Sequence, residues 1–484
     1  MTDNNEIIPI HDGYYFPRLS EAQCQKIHET SLEILDRIGV RLFLEEAIEL
    51  LKKAGAKVTD GNRVHVPPAL VEQALATAPK RVVLHDRHGN PAMPVEGYRC
   101  FYGPGSDCLN VIDHRTGERR KPRLDDIREG IILCDSLRNI DFVMSLALPA
   151  DVNTAIADRY QMEIMLSHTT KPIIFVTYDY EGCVDCVEMA EAVAGSEERL
   201  SQNPNVACYI NVVSGFRHNK EGLQKLLYMA KKNLPVLFIP GSTAGVTSPS
   251  TPAGSLALDN AGNLLGVVLS QLQREGSPVI ITGMPPGHLD MKTLVMPYSE
   301  PERGITQALV HSYGLPMFSY GGASDSKLVD QQAAAEAALC LMAETFGRGN
   351  IIHDLGYLES GLTFSLCQLA LCDEIVDWIK AYSKNFEVTD ETLALDVISQ
   401  TGPDGEFLNT DHTLKHYKER WYPKLFERGT YDTWLGKGGR SLTERAAKLI
   451  ELALAEPRAP SLPQDVKAQV RKIVQRAEEY QEKS

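Results

Sequence analysis

The sequence predicts a (β/α)8 (TIM) barrel with helical extensions at both ends. Short apolar runs rich in β-branched and aromatic residues recur eight times along the middle of the chain. Each run is followed by glycine or polar residues and then by a segment with helical spacing. Continuous apolar strands that alternate with helices indicate a parallel sheet covered by helices. Eight such units favour a closed barrel over an open sheet.

The order of these elements defines three parts of the chain. Residues 1–97 are predicted to be a helical cap, residues 98–387 the barrel, and residues 388–484 a helical extension. A hairpin is expected around the turn sequence 113–117. Four of the barrel strands begin with proline, which fits a first residue that needs no ladder donor. The predicted strands are 98–102, 140–147, 172–178, 206–213, 235–239, 278–282, 316–320 and 350–355.

Composition limits the partners and the compartment. The 484 residues carry a net charge of −15, which argues against nucleic acid or an anionic membrane as a main partner. No apolar run reaches the length of about 18 residues that spans a bilayer. The start of the chain lacks a secretory signal, and the ten cysteines show no framework spacing. We therefore expect a cytoplasmic protein with free thiols, whose helical ends offer surface for a homo-oligomer.

Motifs for metals and nucleotides are missing from the sequence. It contains neither His-x-His, nor HExxH, nor paired CxxC motifs, and the lone Cys183–Cys186 pair lies in a helical pattern. We therefore predict no metal site. GxGxxG and Walker loops are also missing, so nucleotide binding is unsupported. For Schiff-base chemistry, Lys171 is at the wrong end of its strand and Lys327 is a weak candidate.

The carboxyl ends of the strands are where a barrel of this kind places its active site. These positions are rich in aromatic side chains and poor in cations, a composition that suits a cationic ligand. The alternative is that the aromatic side chains only pack the barrel end. The strand-end residues are Phe101, Tyr102, Tyr178, Asn211, Ser242, Thr282, Met284, Tyr320, Asp325, His353, Asp354 and Tyr357.

Two strand ends allow more than one interpretation. The glycine-rich segment 321–327 follows strand seven and could cradle a phosphate, or leave space for a bulky ligand. Asp325 and the lack of a nearby arginine favour the second. His353 could hydrogen-bond a carboxylate, act as a base, or be a satisfied core histidine.

Three segments make the chain resemble the trimethylamine methyltransferase family of corrinoid-dependent barrel enzymes. They are Gly321–Asp330, His353–Phe364, and Gly402–Thr413 with His416. The family's name-giving members carry pyrrolysine in the segment after strand seven, where this chain has standard residues, with Gly322 or Ala323 at the matching place. The resemblance is therefore to the branch that demethylates quaternary amines, with glycine betaine as first choice and proline betaine and carnitine as runners-up.

The resemblance implies a role for each candidate side chain. Phe101, Tyr102, Tyr320 and Phe364 would surround the ammonium group. His353 would bind the substrate carboxylate, with Thr363 or Asn211. Asp325 would face the cationic head or order its loop. No side chain is expected to act as acid or base, because a quaternary ammonium already carries a neutral leaving group.

The resemblance also implies that this chain binds no cofactor itself. Its partners would be a small quaternary amine and a cognate corrinoid protein, whose Co(I) accepts the methyl group. The segment 402–416 would cap the mouth, meet the corrinoid protein, or be a structural cap. Two other functions stay open: a barrel lyase or aldolase acting on a phosphorylated substrate, and a non-catalytic betaine-binding scaffold.

Overall fold

Seven of the eight predicted strands form one parallel sheet in the computed structural model, which describes residues 14–299 and 301–483. From Ile173–Val176 onward each strand pairs with the next along the chain, and the last pairs back onto the first through Ile351 and Phe101. The prediction of a barrel is confirmed. The strands are Phe101–Tyr102, Ile173–Val176, Val206–Asn211, Val236–Ile239, Val279–Thr282, Met317–Tyr320 and Ile351–His353.

Residues 140–147 occupy the remaining position of the barrel, but they do not form the regular strand that the apolar run predicts. Val143 bridges Ile173 in parallel, and the Asp141 amide donates to the Tyr102 carbonyl at 2.6 Å. The first strand is only two residues long, so it offers few backbone groups with which residues 140–147 can pair. The Asp141 carboxylate instead accepts from the Tyr102 amide at 2.8 Å. Isolated bonds therefore close the barrel here.

A helix follows each barrel position and covers the outside of the sheet. Several begin where a loop leaves the carboxyl end of a strand, with a side-chain cap: Asp179 accepts from Gly182, Asp330 from Ala333, and Ser365 from Gln368. The loops at this end are thereby held against the barrel. The helices are Leu124–Ser136, Ala157–His168, Tyr180–Ala194, Lys220–Lys232, Pro252–Gln273, Ile305–Tyr313, Gln331–Phe346 and Leu366–Tyr382.

A hairpin from the N-terminal region plugs the opposite end of the barrel. Strands Val82–His85 and Pro91–Val95 share one buried cluster with the inward side chains of the barrel, including Phe142 and Phe318. The His85 amide donates to the carbonyl of Pro204, just before the fourth barrel position, at 2.8 Å. The barrel interior is therefore a packed core that is closed at its amino end.

The rest of residues 14–97 is not purely helical, contrary to the sequence prediction. Three helices are present, as the predicted cap requires: Glu21–Glu33 (continued by a π-helical turn, Ile34–Ile38), Glu45–Lys53 and Pro68–Thr77. Three strands accompany them, Val40–Leu42, Lys57–Thr59 and Arg63–His65. Three residues are too few to show an alternating pattern, so the sequence did not reveal these strands. The part of the predicted cap formed by residues 1–13 lies outside the described residues.

The predicted hairpin around residues 113–117 is present as strands Asn110–Ile112 and Arg119–Arg120. At the other end of the chain, helix Leu442–Ala455 packs on helices Leu366–Tyr382 and Leu124–Ser136. Helix Gln464–Lys483 packs on Ala157–His168 and Tyr180–Ala194. Within residues 14–299 and 301–483, no helix combines the length and apolar character needed to cross a membrane. Four short helices lie between Leu366–Tyr382 and Leu442–Ala455: Asp390–Leu393, Leu395–Thr401, Asp411–His416 and Tyr431–Gly436.

Candidate active site at the barrel mouth

Three aromatic rings converge at the carboxyl ends of the strands, a region that we call the mouth. Side chains along a strand alternate, so Tyr209, Tyr320 and His353 point inward from three different strands. The His353 ring stacks on Phe318 with centroids 4.1 Å apart, and Tyr209 meets Phe318 edge-on at 5.1 Å. Tyr320 lies 6.3 Å from His353. The mouth is therefore walled by aromatic surface.

Tyr298 adds a ring from the loop after the sixth barrel position. Its centroid lies 5.0 Å from that of Tyr320. Asp325 holds this loop in place, because its carboxylate accepts from the Tyr298 amide at 2.9 Å and from the Ser299 hydroxyl at 2.6 Å. The Ser360 hydroxyl donates to the same carboxylate at 2.8 Å. Asp325 thus holds the loop that carries Tyr298.

Two carboxylates give the mouth negative charge. The Asp354 carboxylate pairs with Nδ1 of His353, and its charge adds to burial in raising the pKa of Tyr209 and of Tyr298. Both phenols are therefore neutral at neutral pH. The loop after the first strand approaches closely, since a Cβ on Gly105 would clash with the Asp354 carboxylate and Tyr357. Only glycine fits there.

Asp107, in the same loop, is the second carboxylate. Burial raises its pKa to about 6, the charges of Asp158 and Asp354 act in the same direction, and a hydrogen bond from Ser106 opposes them. The Ser106 hydroxyl lies 3.1 Å from the Asp107 carboxylate. A cation bound in the mouth would offset the cost of ionising this group.

The second ring nitrogen of His353, Nε2, is buried and has no hydrogen-bond partner among the described residues. The side chain is 6% exposed, and its Nδ1 is occupied by Asp354. A buried polar atom without a partner costs free energy, of order 1–3 kcal/mol. Such an atom at the end of a barrel strand is suited to a ligand.

A buried ion pair stands directly behind Tyr320. Arg303 donates to the Tyr320 carbonyl at 2.7 Å and to Glu344 at 3.0 Å, and its guanidinium lies 4.5 Å from the Tyr320 ring centroid. Ser319 and Gln307 also donate to Glu344. The network fixes the position of the Tyr320 ring, which leaves its other face for the mouth.

Comparison with known proteins identifies the chain. Residues 7–481 match the family described as trimethylamine methyltransferase (MTTB). The chain belongs to the trimethylamine methyltransferase family. It is 31% identical to trimethylamine methyltransferase MttB of Desulfitobacterium hafniense strain DCB-2, over 97% of this chain and 95% of that protein. It is 30% identical to a glycine betaine methyltransferase of Desulfitobacterium hafniense strain Y51, over 96% and 98%.

A solved structure confirms the fold of this trimethylamine methyltransferase family member. The monomethylamine methyltransferase MtmB of Methanosarcina barkeri superposes with a TM-score of 0.51, over 98% of this chain and 89% of that chain. Their sequences are 9% identical, so the likeness concerns the fold alone. The methyltransferase family and its barrel architecture, both expected from the sequence, are confirmed.

The structure brings some of the predicted site residues of this methyltransferase together and separates others. Tyr320 and His353 meet at the mouth, and Asn211 hydrogen-bonds Tyr209 there. Phe101 points into the barrel core. Tyr102, the next residue on the strand, points outward: its hydroxyl lies 2.8 Å from that of Thr345, and the Lys380 ammonium lies 5.3 Å from its ring.

The remaining predicted residues pack against other side chains behind the mouth. A Cβ on Gly322 would meet Leu355 and Cys372, and Ala323 is fully buried in the outer core. Thr363 donates to Glu359. Phe364 packs edge-on against Tyr357, with centroids 6.4 Å apart. The strand pattern located these residues near a strand end but did not give their direction.

Four residues of the mouth had no predicted role, and only the last of them was among the strand-end candidates: Tyr209, Tyr298, Asp107 and Asp354. The signal for Tyr209 was its two-residue spacing from Asn211, which puts both side chains on the inner face of one strand. Asp354 follows His353 at the strand end, with φ of 71°. Tyr298 and Asp107 lie in loops, where spacing gives no direction.

The glycine-rich segment after strand seven is not a free phosphate cradle. The amide of Gly321 donates to the His353 carbonyl at 2.8 Å, and that of Ser324 to the Tyr357 carbonyl at 3.0 Å. The Asp325 amide donates to the Glu336 carboxylate at 2.8 Å. These donors are committed within the protein, which disfavours the lyase or aldolase alternative.

Exposed apolar side chains surround the mouth. Seven of the loops that follow the barrel positions each contribute at least one, and the Met291 side chain is 76% exposed. Large exposed apolar side chains gathered in the loops at one end of a barrel indicate an interaction site. We call this set the apolar rim: Leu109, Tyr178, Val213, Val246, Met291, Leu294, Leu328 and Leu362.

Proposed function

We propose that this protein transfers a methyl group from a quaternary amine, glycine betaine as first choice, to Co(I) of a cognate corrinoid protein. The observation that carries the proposal is the mouth itself, where aromatic rings and two carboxylates lie around His353, whose Nε2 has no hydrogen-bond partner in the part of the chain that the structure describes. The sequence resemblance supplies the corrinoid acceptor. The product from glycine betaine is dimethylglycine.

The ammonium group binds among Tyr209, Tyr298 and Tyr320. The negative faces of these rings attract a quaternary cation without requiring hydrogen bonds, which such a cation cannot donate. Asp107 and Asp354 add the negative charge that the cation neutralises. The Arg303 guanidinium behind Tyr320 occupies one ring face, so the substrate takes the other.

The substrate carboxylate accepts a hydrogen bond from Nε2 of His353. The Asp354 carboxylate is bonded to Nδ1, so Nε2 is the ring nitrogen left for the ligand. Asn211, bonded to Tyr209, lies on the same inner strand face and is a second donor. One betaine molecule thereby satisfies both the buried nitrogen and the negative mouth.

The chemistry then requires alignment rather than acid catalysis. The C–N bond breaks with its electron pair staying on nitrogen, so the leaving group is a neutral tertiary amine. The methyl carbon bonds to cobalt, and Co(I) becomes methyl-Co(III) as it supplies both electrons. The chain holds one methyl group toward the open end of the barrel and excludes water.

The standard residues at 321–325 support a quaternary over a tertiary amine. Trimethylamine is protonated at neutral pH and is then a poor methyl donor, and family members that use it carry pyrrolysine in this segment. Relatives named for trimethylamine and for glycine betaine are similarly distant, at 31% and 30% identity. Sequence identity therefore does not choose between them.

Isothermal titration tests the choice of substrate. Glycine betaine, proline betaine, carnitine, trimethylamine and a phosphorylated sugar are titrated separately into the pure protein. We expect a quaternary amine with a carboxylate to bind at least about tenfold more tightly than trimethylamine, since it adds one charge-assisted hydrogen bond. Tightest binding of trimethylamine, or of a phosphorylated sugar, would reject the proposed substrate class.

The apolar rim is the surface that we propose for the corrinoid protein. Met291→Asp should raise the KM for the corrinoid protein by about tenfold or more, because a charge must then be buried in the complex. The Kd for glycine betaine should not change. Leu452→Asp, on an exposed position of helix Leu442–Ala455, is the matched control. Equal KM values in the two variants would contradict docking at the rim.

Binding of the cation should depend on pH through Asp107. Its pKa of about 6 means that the carboxylate is mostly neutral at pH 5 and mostly ionised at pH 7. Affinity for tetramethylammonium should therefore rise by up to about tenfold between these values. In Asp107→Asn it should stay near the low-pH value. A flat wild-type profile would exclude Asp107 from cation binding.

The same raised pKa has a consequence for stability. The neutral carboxyl of Asp107 stabilises the ligand-free fold at pH values below its unfolded pKa, and this contribution is lost as the pH rises through about 6. A bound cationic substrate would restore this stability, because its charge favours the ionised carboxylate. Ligand should therefore protect the protein against unfolding more at pH 7 than at pH 5.

We also propose a cytoplasmic homo-oligomer. All ten cysteines are free thiols, nine of them buried, which fits a reducing compartment. The segment between the last barrel helix and Leu442–Ala455 exposes large apolar side chains, among them Phe386, Leu395 and Leu414. A second copy would cover such surface. Sedimentation velocity measures the state directly, and a monomer at micromolar concentration would contradict it.

A further inference from the structure

A second cluster of ligand-type side chains lies outside the barrel, in the C-terminal segment. Glu391 comes from helix Asp390–Leu393, and His412 and His416 come from helix Asp411–His416. The two histidines are four residues apart and share one helix face, with ring centroids 4.5 Å apart. One ligand atom of each of the three residues lies within 4.8 Å of the other two.

The environment of the two imidazoles is the arrangement that metal ligands have in proteins. Nδ1 of His416 is bonded to Glu419 at 2.8 Å, and its Nε2 faces Glu391, also at 2.8 Å. A carboxylate on the far nitrogen orients a histidine ligand and raises its basicity. Nε2 of His412 is buried and has no hydrogen-bond partner among the described residues. It is therefore available to a ligand.

We propose that Glu391, His412 and His416 bind a divalent metal ion such as Zn²⁺, with Glu419 orienting His416. Two imidazoles and one carboxylate form a ligand set that zinc accepts, with a fourth position for water. Ligand atoms about 2.1 Å from a tetrahedral ion are about 3.4 Å apart. The atoms here need to move by less than about 1.5 Å, on an exposed segment of short helices.

An ion pair network without metal is the competing explanation. The Lys415 ammonium lies 2.6 Å from the Glu391 carboxylate, on the oxygen that His416 also contacts. The Lys415 ammonium already neutralises Glu391. The two explanations differ in what Lys415 does, because its charge would repel a bound ion but would strengthen a metal-free network.

A bound ion would connect two parts of the chain that are far apart in sequence. It would close the loop between Glu391 and His416, and binding energy at such a site becomes folding energy. The spacing matches none of the common metal motifs: the histidines are four residues apart without the HExxH glutamate, and the acidic ligand is 21 residues upstream of His412. This inference is independent of the proposed methyl transfer.

Titration of the metal-stripped, full-length protein with Co²⁺ tests the site. We expect about one equivalent to bind with the intense visible absorption of a low-coordinate Co²⁺ ion, and Zn²⁺ to displace it. His412→Ala and His416→Ala should each weaken binding by about tenfold or more. His88→Ala, at an exposed histidine outside the cluster, should bind like the wild type.

Lys415→Met separates the two explanations. Loss of the nearby positive charge should tighten Co²⁺ binding several-fold if the cluster is a metal site. Substoichiometric Co²⁺ in the wild type, or equal affinities in the wild type and both histidine variants, would overturn the proposal. Circular dichroism of each variant confirms that the barrel is folded, so a loss of binding is not a loss of fold.

Discussion

His353→Ala should weaken glycine betaine binding by about 10- to 100-fold. The variant removes the Nε2 donor that we assign to the substrate carboxylate, and a hydrogen bond to a charged group contributes about 1.5–3 kcal/mol. Tyr320→Ala should weaken binding comparably, because it removes one aromatic wall of the cation site. Isothermal titration measures both. Undiminished binding in both variants would remove these two residues from the substrate site.

A second ligand distinguishes the two roles. Tetramethylammonium has the cationic head of betaine and no carboxylate. Its affinity should fall in Tyr320→Ala and stay close to the wild-type value in His353→Ala. Tyr102→Phe is the matched control on the adjacent strand, because the Tyr102 ring faces the outer helices. That variant should bind both ligands normally.

Arg303→Met should destabilise the protein by about 3–5 kcal/mol. The side chains of Arg303 and Glu344 are 3% and 0% exposed, so the variant leaves a buried carboxylate without its charged partner. It also removes the bonds that fix Tyr320 and the Tyr298 loop. Urea unfolding measures the loss as a lower midpoint.

Two controls accompany this variant. Arg303→Met combined with Glu344→Gln should recover part of the stability, since the uncompensated charge is gone. Arg37→Met breaks an exposed pair with Glu33 and should change stability by less than about 1 kcal/mol. An Arg303→Met protein as stable as Arg37→Met would contradict the central role of the buried pair.

The apolar runs predicted the barrel because each buried strand is surrounded by core on both faces. The order of apolar runs such as 172–178 and 316–320, each followed by a helix, was enough to predict a closed parallel sheet. The predicted second strand, 140–147, is not regular, and Asp141 and Leu146 are the residues that depart from strand geometry. Asp141 replaces a backbone ladder with its side chain, and Leu146 has φ of 68°. Hydropathy does not report either feature.

The site was predicted less completely than the fold. Which side chain reaches the mouth depends on the direction in which it points, and its place in the sequence does not give that direction. Phe101 and Tyr102 are neighbours, yet one faces the core and the other faces the outer helices. The register of a two-residue strand cannot be read from its sequence. Tyr298 reaches the mouth only because Asp325, 27 residues further along the chain, holds its backbone. Contacts of that kind appear only in three dimensions.

The central claim is methyl transfer from a quaternary amine to cobalt. Its most direct test is to mix the protein anaerobically with a cognate corrinoid protein in the Co(I) state and glycine betaine, and to follow the cobalt spectrum. We expect the Co(I) absorption to decay into that of methyl-Co(III), with one dimethylglycine formed per cobalt, and no change with trimethylamine. A Co(I) spectrum that persists with glycine betaine, proline betaine and carnitine alike would contradict the account.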